Sequence, residues 1–239
     1  MKSHSTKPIV IVLDDDPDVR ARLKSMLETV HLESKMFASV RAFWRSRLPE
    51  RPSCLITETR MSDGDGLDLQ DKLRRDGSKL PIIFVTRFGD IRVAVRAMKS
   101  GASDFLAKPV REQSLLDAVH DALERDRERR EANAKQRALI ALVEKLPPSY
   151  QTVLRLTAEG WTNKEIGDKM RVGDSAIRWK KCLLRRKFGV KTNPDLMRTG
   201  WALSLMLGLD RTADAASNAR TQGTQVHDQA LDRRSDQAA

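Results

Sequence analysis

Apolar residues in the first half of the chain fall into two alternating kinds of block. Pro8 to Leu13 (PIVIVL) is continuous and rich in β-branched residues, the pattern of a strand buried on both faces. Strand-like segments follow at 33–37, 54–57, 82–86 and 104–106. Between them, apolar positions recur every three or four residues: Val19, Leu23, Met26, Leu27 and Val30 within 18–30, with similar segments at 39–47, 65–75 and 90–100. Five strand–helix repeats predict an α/β domain with a parallel sheet covered by helices on both faces. In such sheets functional groups gather beyond the carboxyl ends of the strands.

From Glu112 the period stays helical. Leu115, Leu116, Val119, Ala122 and Leu123 form a stripe, Arg125 to Arg137 is almost entirely charged, and apolar residues return from Leu139 to Leu146 before Pro147-Pro148 ends the helix. The charged middle reads as a helical linker over 125–145, either a solvated spacer or a dimerising coiled coil with an interrupted seam. Residues 146–209 then predict four helices: 149–158, 163–170, a basic one from Asp174 or Ser175 to Phe188, and 193–209. Short helix, tight turn at Arg171-Val172-Gly173, longer basic helix is the helix-turn-helix order. Residues 210–239 carry almost no large apolar side chain and predict a disordered tail.

Charge sharpens this division. The chain of 239 residues carries a net +11, of which +7 lies within residues 144–191, while 1–124 is close to neutral at +2. Concentrated basic charge points to a polyanionic partner, although a solvated basic face would look the same. A 40% hydrophobic content with no apolar run near 18 residues excludes a membrane helix. The polar opening MKSHSTKP suggests no export signal, so the expected location is cytoplasmic. Cys54 and Cys182 stand far apart and fit neither a disulfide framework nor a zinc site. No nucleophile–base set or nucleotide-binding glycine loop is present, and an enzyme is not expected.

The strand ends of the N-terminal domain carry Asp14 and Asp15, then Glu58, Thr86 and Lys108. Carboxylates grouped in this way make a hard-oxygen site able to hold Mg²⁺, while a hydroxyl and an ammonium group can stabilise a phosphoryl group. Singly, each has an ordinary explanation as a solvated loop residue. Their shared placement makes coincidence a poor account.

Through VLDDDPDVR, CLITETRMSDGDGLDL and LPIIFVTRFGDIRVAVRAMKSGASDFLAKP, residues 7–125 resemble the receiver domain of bacterial two-component response regulators, most closely the FixJ-like group. The resemblance implies a five-stranded flavodoxin-like (βα)5 fold over 1–124. It also implies metal-binding acids at Asp14 and Asp15, a switching hydroxyl at Thr86, a switching aromatic at Phe105 and the lysine at Lys108. The phosphoacceptor position falls on Glu58, where the family carries aspartate. One extra methylene shifts the carboxylate by more than an ångström, enough to cost about 10²-fold in a positioned reaction. Its longer reach would instead bring the carboxylate toward Thr86 and Lys108, imitating a phosphoryl group. Arg87 stands where receivers usually have a small residue, and is expected to cover the pocket or pair with Glu58. Ser62 replaces a usual proline. A residual acceptor role at Glu58, Asp63 or Asp65, and a purely structural remnant, remain open; Mg²⁺ is possible but not required.

On the basic helix, Ile177, Leu184 and Phe188 cluster within about 40° at 100° per residue and predict the buried stripe. The far side carries Ser175, Arg178, Trp179, Cys182, Arg185 and Arg186, suited to a DNA groove, with a packing contact as the alternative for Trp179. Lys164, Lys180, Lys181 and Lys187 are candidates for phosphate contacts. Through VLRLTAEGWTNKEIGDKMRVGDSAIRWKKCLLRRKFGV, residues 146–209 resemble the LuxR/NarL/FixJ-type DNA-binding domain. Trp179-Lys180 replaces a frequent Val-His there. Together the resemblances imply a homodimeric, promoter-binding transcriptional regulator of two-component type; the departure at Glu58 makes independence of phosphorylation the expectation. Its expected partners are RNA polymerase and either a sensor kinase or another regulator. The competing expectation is a degenerate receiver acting as a protein-interaction module without specific DNA reading.

Overall fold

The computed structural model describes residues 7–87 and 90–206, so the predicted tail at 210–239 and the end of the last predicted helix lie outside the described residues. The chain divides into two compact units, Met1–Ala134 and Lys135–Ala239.

In the first unit β1 (Ile9–Leu13), β2 (Glu33–Phe37), β3 (Ser53–Thr57), β6 (Ile82–Thr86) and β7 (Asp104–Ala107) form one parallel sheet in the order β2-β1-β3-β6-β7. The helices are α1 (Pro17–Thr29), α2 (Val40–Arg45), α3 (Gly66–Arg75), α4 (Ile91–Lys99) and α5 (Glu112–Glu144). Alternation along each strand sorts the core into two layers. Val10, Val12, Cys54, Ile56, Ile83 and Val85 pack with residues of α1 and α5, while Ile11, Leu13, Leu55 and Phe84 pack with α2, α3 and α4.

Local capping explains several helix starts. The Asp16 carboxylate accepts from the amides of Asp18 and Val19, and Pro17 supplies the first helical position of α1. Asp65 does the same for α3. The Ser39 hydroxyl caps α2, which is shorter than its predicted span because the chain turns extended at Ser46. A two-residue hairpin, β4 (Arg60–Met61) with β5 (Gly64–Asp65), was not expected from the sequence.

Helix α5 spans the unit boundary, which falls between Ala134 and Lys135, inside the stretch 125–145 expected as a helical linker. Its early part lies in the core of the first unit through Leu115, Val119, Ala122 and Leu123. Val143 and Leu146 belong to the core of the second unit, with α6 (Pro148–Ala158), α7 (Asn163–Met170), α8 (Asp174–Phe188) and α9 (Asn193–Met206). Thr162 and Glu165 form a reciprocal capping box at the start of α7. The α7–α8 turn is held by Arg171 in the left-handed region, φ 54°, and by Gly167, where a Cβ would stand 2.7 Å from the Val172 carbonyl oxygen. These two features give the helix-turn-helix its tight corner.

Candidate functional site

Parallel register brings the strand ends together. Leu13 is opposite Thr57, and Thr86 opposite Ala107, so the next residues, Asp14, Glu58, Arg87 and Lys108, meet at one edge of the sheet. Asp14 and Glu58 are both buried. Lys108 Nζ lies 2.5 Å from Asp14 Oδ2 and 2.9 Å from Glu58 Oε2, bridging the two carboxylates. The other Glu58 oxygen, Oε1, accepts from the Thr59 amide at 2.7 Å and from its hydroxyl at 3.1 Å. Thr59 Oγ1 in turn lies 2.8 Å from Thr86 Oγ1. Burial alone would raise the Glu58 pKa, but hydrogen bonds from Thr86 and Lys108, the Lys108 charge and the Thr59 amide outweigh it. The carboxyl is held below its ordinary value.

The expected reach of Glu58 toward Thr86 and Lys108 is thus what the geometry shows. The expected pairing of Arg87 with Glu58 is corrected in kind. Its backbone amide donates to Glu58 Oε2 at 3.3 Å, while its guanidinium stands 3.8 Å from Asp16 Oδ2. Asp63 accepts from the amides of Val40 and Arg41 and Asp65 caps α3, so both carboxylates are engaged as caps. Phe105 is partly buried, its ring 6.1 Å from that of Phe84.

The acidic residues do not fit Mg²⁺ as arranged. Asp14 Oδ1 accepts from the Asp16 amide and Oδ2 from Lys108, and Asp15 Oδ2 accepts from the Ser62 amide at 2.7 Å. Among the described residues, no group of three or more His, Cys, Asp or Glu side chains is placed to hold a metal ion. Lys108 stands between the acids as their counter-charge.

In the second unit, α8 presents Ser175, Arg178, Trp179, Cys182 and Arg186 to solvent, with Trp179 64% exposed. Arg178 pairs with Asp174 at 2.7 Å, and Arg185 is half-buried, reaching the Lys191 carbonyl at 3.4 Å. Lys164 and Lys187 are exposed. Lys181 is a correction: it is 6% exposed, and burial depresses its pKa against the opposing charge of Asp174. It lies about 40° from Ile177 on the helical wheel, hence on the buried stripe and not among the phosphate candidates. Lys180 is also engaged within the unit, donating to Ser149 Oγ at 2.9 Å and lying over the Tyr150 ring. Sequence reasoning missed Thr59, whose hydroxyl links Glu58 to Thr86; no periodic signal marks it.

Residues 10–120 match the family model of the response regulator receiver domain. Nodulation protein W of Bradyrhizobium diazoefficiens is 40% identical over 84% of this chain and 88% of its own length. The transcriptional regulatory protein FixJ of Azorhizobium caulinodans is 29% identical over 86% of this chain and 96% of its own. The solved structure of the response regulator StyR superposes with a TM-score of 0.71 at 36% identity, covering 81% of this chain and 98% of that one. A five-stranded receiver with lysine-bridged acids at its strand ends, followed by a helical unit, places this chain among the response regulators of the FixJ transcriptional type.

Proposed function

We propose that the chain is a DNA-binding transcriptional regulator whose receiver is set by its own Glu58 rather than by phosphorylation. One observation carries this reading: the Glu58 carboxylate already lies on Lys108, beside Thr86, where a phosphoryl oxygen on a shorter acceptor would sit. Thr86, Phe105 and Arg87 are then held in one arrangement, with Asp14 serving as a partner of Lys108 and not as a metal ligand. The regulator works in the cytoplasm as a homodimer and places two α8 helices on half-sites about one helical turn apart. Arg178, Arg185 and Arg186 read base edges, Trp179 meets sugar or thymine methyl groups, Ser175 and Cys182 line the same face, and Lys164 and Lys187 position phosphates. We read residues 146–209 as the DNA-binding domain and 1–124 as the receiver proper.

The test combines a small-molecule phosphodonor with promoter DNA. Wild type is expected to give no acid-labile phosphoprotein, yet to bind one site at least about 10³-fold better than bulk DNA, with a steep salt dependence. A phosphoprotein band lost in Glu58→Ala would overturn the first half. Equal weak binding to every DNA, unchanged by Arg178→Ala, would overturn the second.

A further inference from the structure

The charged stretch of α5 hides one carboxylate that does not behave as a surface residue. Asp126 is fully buried, 0% exposed, in a run of residues that otherwise reads as a solvated helix. Its Oδ2 accepts from the Ser53 amide at 3.0 Å and from Arg130 Nε at 2.6 Å, and its Oδ1 pairs with Arg129. Arg130 also donates to the Pro49 carbonyl at 3.3 Å. The carboxylate therefore joins α5 to the first residue of β3, with two arginines closing the outer side.

Ser53 and Glu58 stand at opposite ends of one strand segment. Every residue of β3 is buried, and the strand is bonded to β1 along its whole length and to β6 along its second half. Beyond its far end, the Glu58 carbonyl is pinned under Gly66, where a Cβ would come within 2.2 Å. A strand packed on both faces has little room to bend. A displacement of the strand that starts at Glu58 would reach α5 through the bond that the Asp126 carboxylate accepts from the Ser53 amide at the strand's other end. Losing it would leave a buried carboxylate short of a donor, so the contact is either made well or released with the helix.

We infer that Asp126 is a positioning residue that couples the Glu58 end of β3 to the seating of the linker helix, so that the two settle or loosen together. The inference rests on the reading of Glu58 given above, and its test separates the two.

Hydrogen exchange is measured on the full chain for wild type, Glu58→Ala, Asp126→Ala and the double variant, following the amides of residues 125–134. The amides of Leu23 and Leu27 in α1 serve as the gauge of overall receiver opening. Promoter affinity is measured in parallel. Glu58→Ala is expected to speed exchange in 125–134 by at least about fivefold beyond any change in α1, the scale of coupling within one bonded network. In the Asp126→Ala background the same substitution should add less than about twofold, because the acceptor for the Ser53 amide is gone. Arg130→Ala, at the rim of the cluster, provides a milder lesion that should shrink the Glu58 effect without reaching zero. A merely structural Asp126 would speed exchange in both backgrounds by the same factor, and that result overturns the coupling. So does exchange in 125–134 that does not respond to Glu58→Ala. If promoter affinity responds to Glu58→Ala while exchange in 125–134 does not, the coupling falls and the Glu58 reading stands. If exchange responds and affinity does not, the coupling stands and the Glu58 reading falls.

Discussion

Replacing Glu58 in a graded series measures how much its carboxylate contributes to the state that binds DNA. In Glu58→Ala, Lys108 keeps Asp14 and loses the oxygen at 2.9 Å, while the Thr59 amide and hydroxyl lose their acceptor. Hydrogen bonds involving a charged group are worth about 1.5–3 kcal/mol each, so the three lost contacts remove about 4.5–9 kcal/mol of interaction. Only the part made in one receiver state and not the other shifts the balance between them. Taking half of the lower end gives about 2 kcal/mol, or about 30-fold in operator affinity. Glu58→Gln keeps the length and an acceptor for Lys108 but drops the charge, and should cost about fivefold, near 1 kcal/mol. Glu58→Asp should weaken binding and be restored by a small-molecule phosphodonor, whereas the alanine and glutamine forms should ignore it. Fluorescence-anisotropy titration of labelled promoter DNA at fixed salt, with a urea midpoint for each variant, reads the series. Operator affinities within twofold of wild type for all three folded variants would refute the reasoning, since the carboxylate would then hold nothing the DNA-bound state needs.

Other substitutions test separate contacts. Lys181→Met should leave the salt dependence of DNA binding unchanged and keep or raise the stability of the second unit, because the ammonium group is buried; Lys164→Ala should lower the salt slope by about one. Gly167→Ala should destabilise the second unit by about 1–3 kcal/mol, as a methyl group forced against the Val172 carbonyl must displace the turn; tryptophan fluorescence during urea unfolding reads this through Trp161 and Trp179. For pH, the folded-state pKa of Glu58 is below its unfolded value, so its contribution is present above about pH 4.3 and is lost as pH falls through the folded pKa. Wild type should therefore exceed Glu58→Gln in thermal midpoint near neutral pH, and the gap should close on acidification.

Much of this was legible because burial on both faces leaves a strong mark. IVIVL, SCLIT and IIFVT are buried throughout, and a chain that must satisfy its backbone inside a sheet has little alternative to such runs. The site was legible through placement: Asp14, Glu58, Thr86 and Lys108 each follow or end a strand, and parallel register brings strand ends together. Asp126 was not legible, since its partner Ser53 lies 73 positions away and its neighbours in sequence are all charged. Lys181 could have been read. The wheel puts it beside Ile177, but its charge was given more weight than its angle, and the long apolar stem of lysine makes such burial affordable. The β4–β5 hairpin was out of reach because two-residue strands have no period to detect.

The lysine bridge has a consequence for how such a protein is governed. A phosphoryl group arrives from outside and leaves by hydrolysis, so its occupancy carries timing. A carboxylate built into the chain competes at the effective concentration of a tethered ligand and has no such lifetime. Under the proposed reading, promoter occupancy follows the number of copies present, and synthesis and degradation take over the role of a clock.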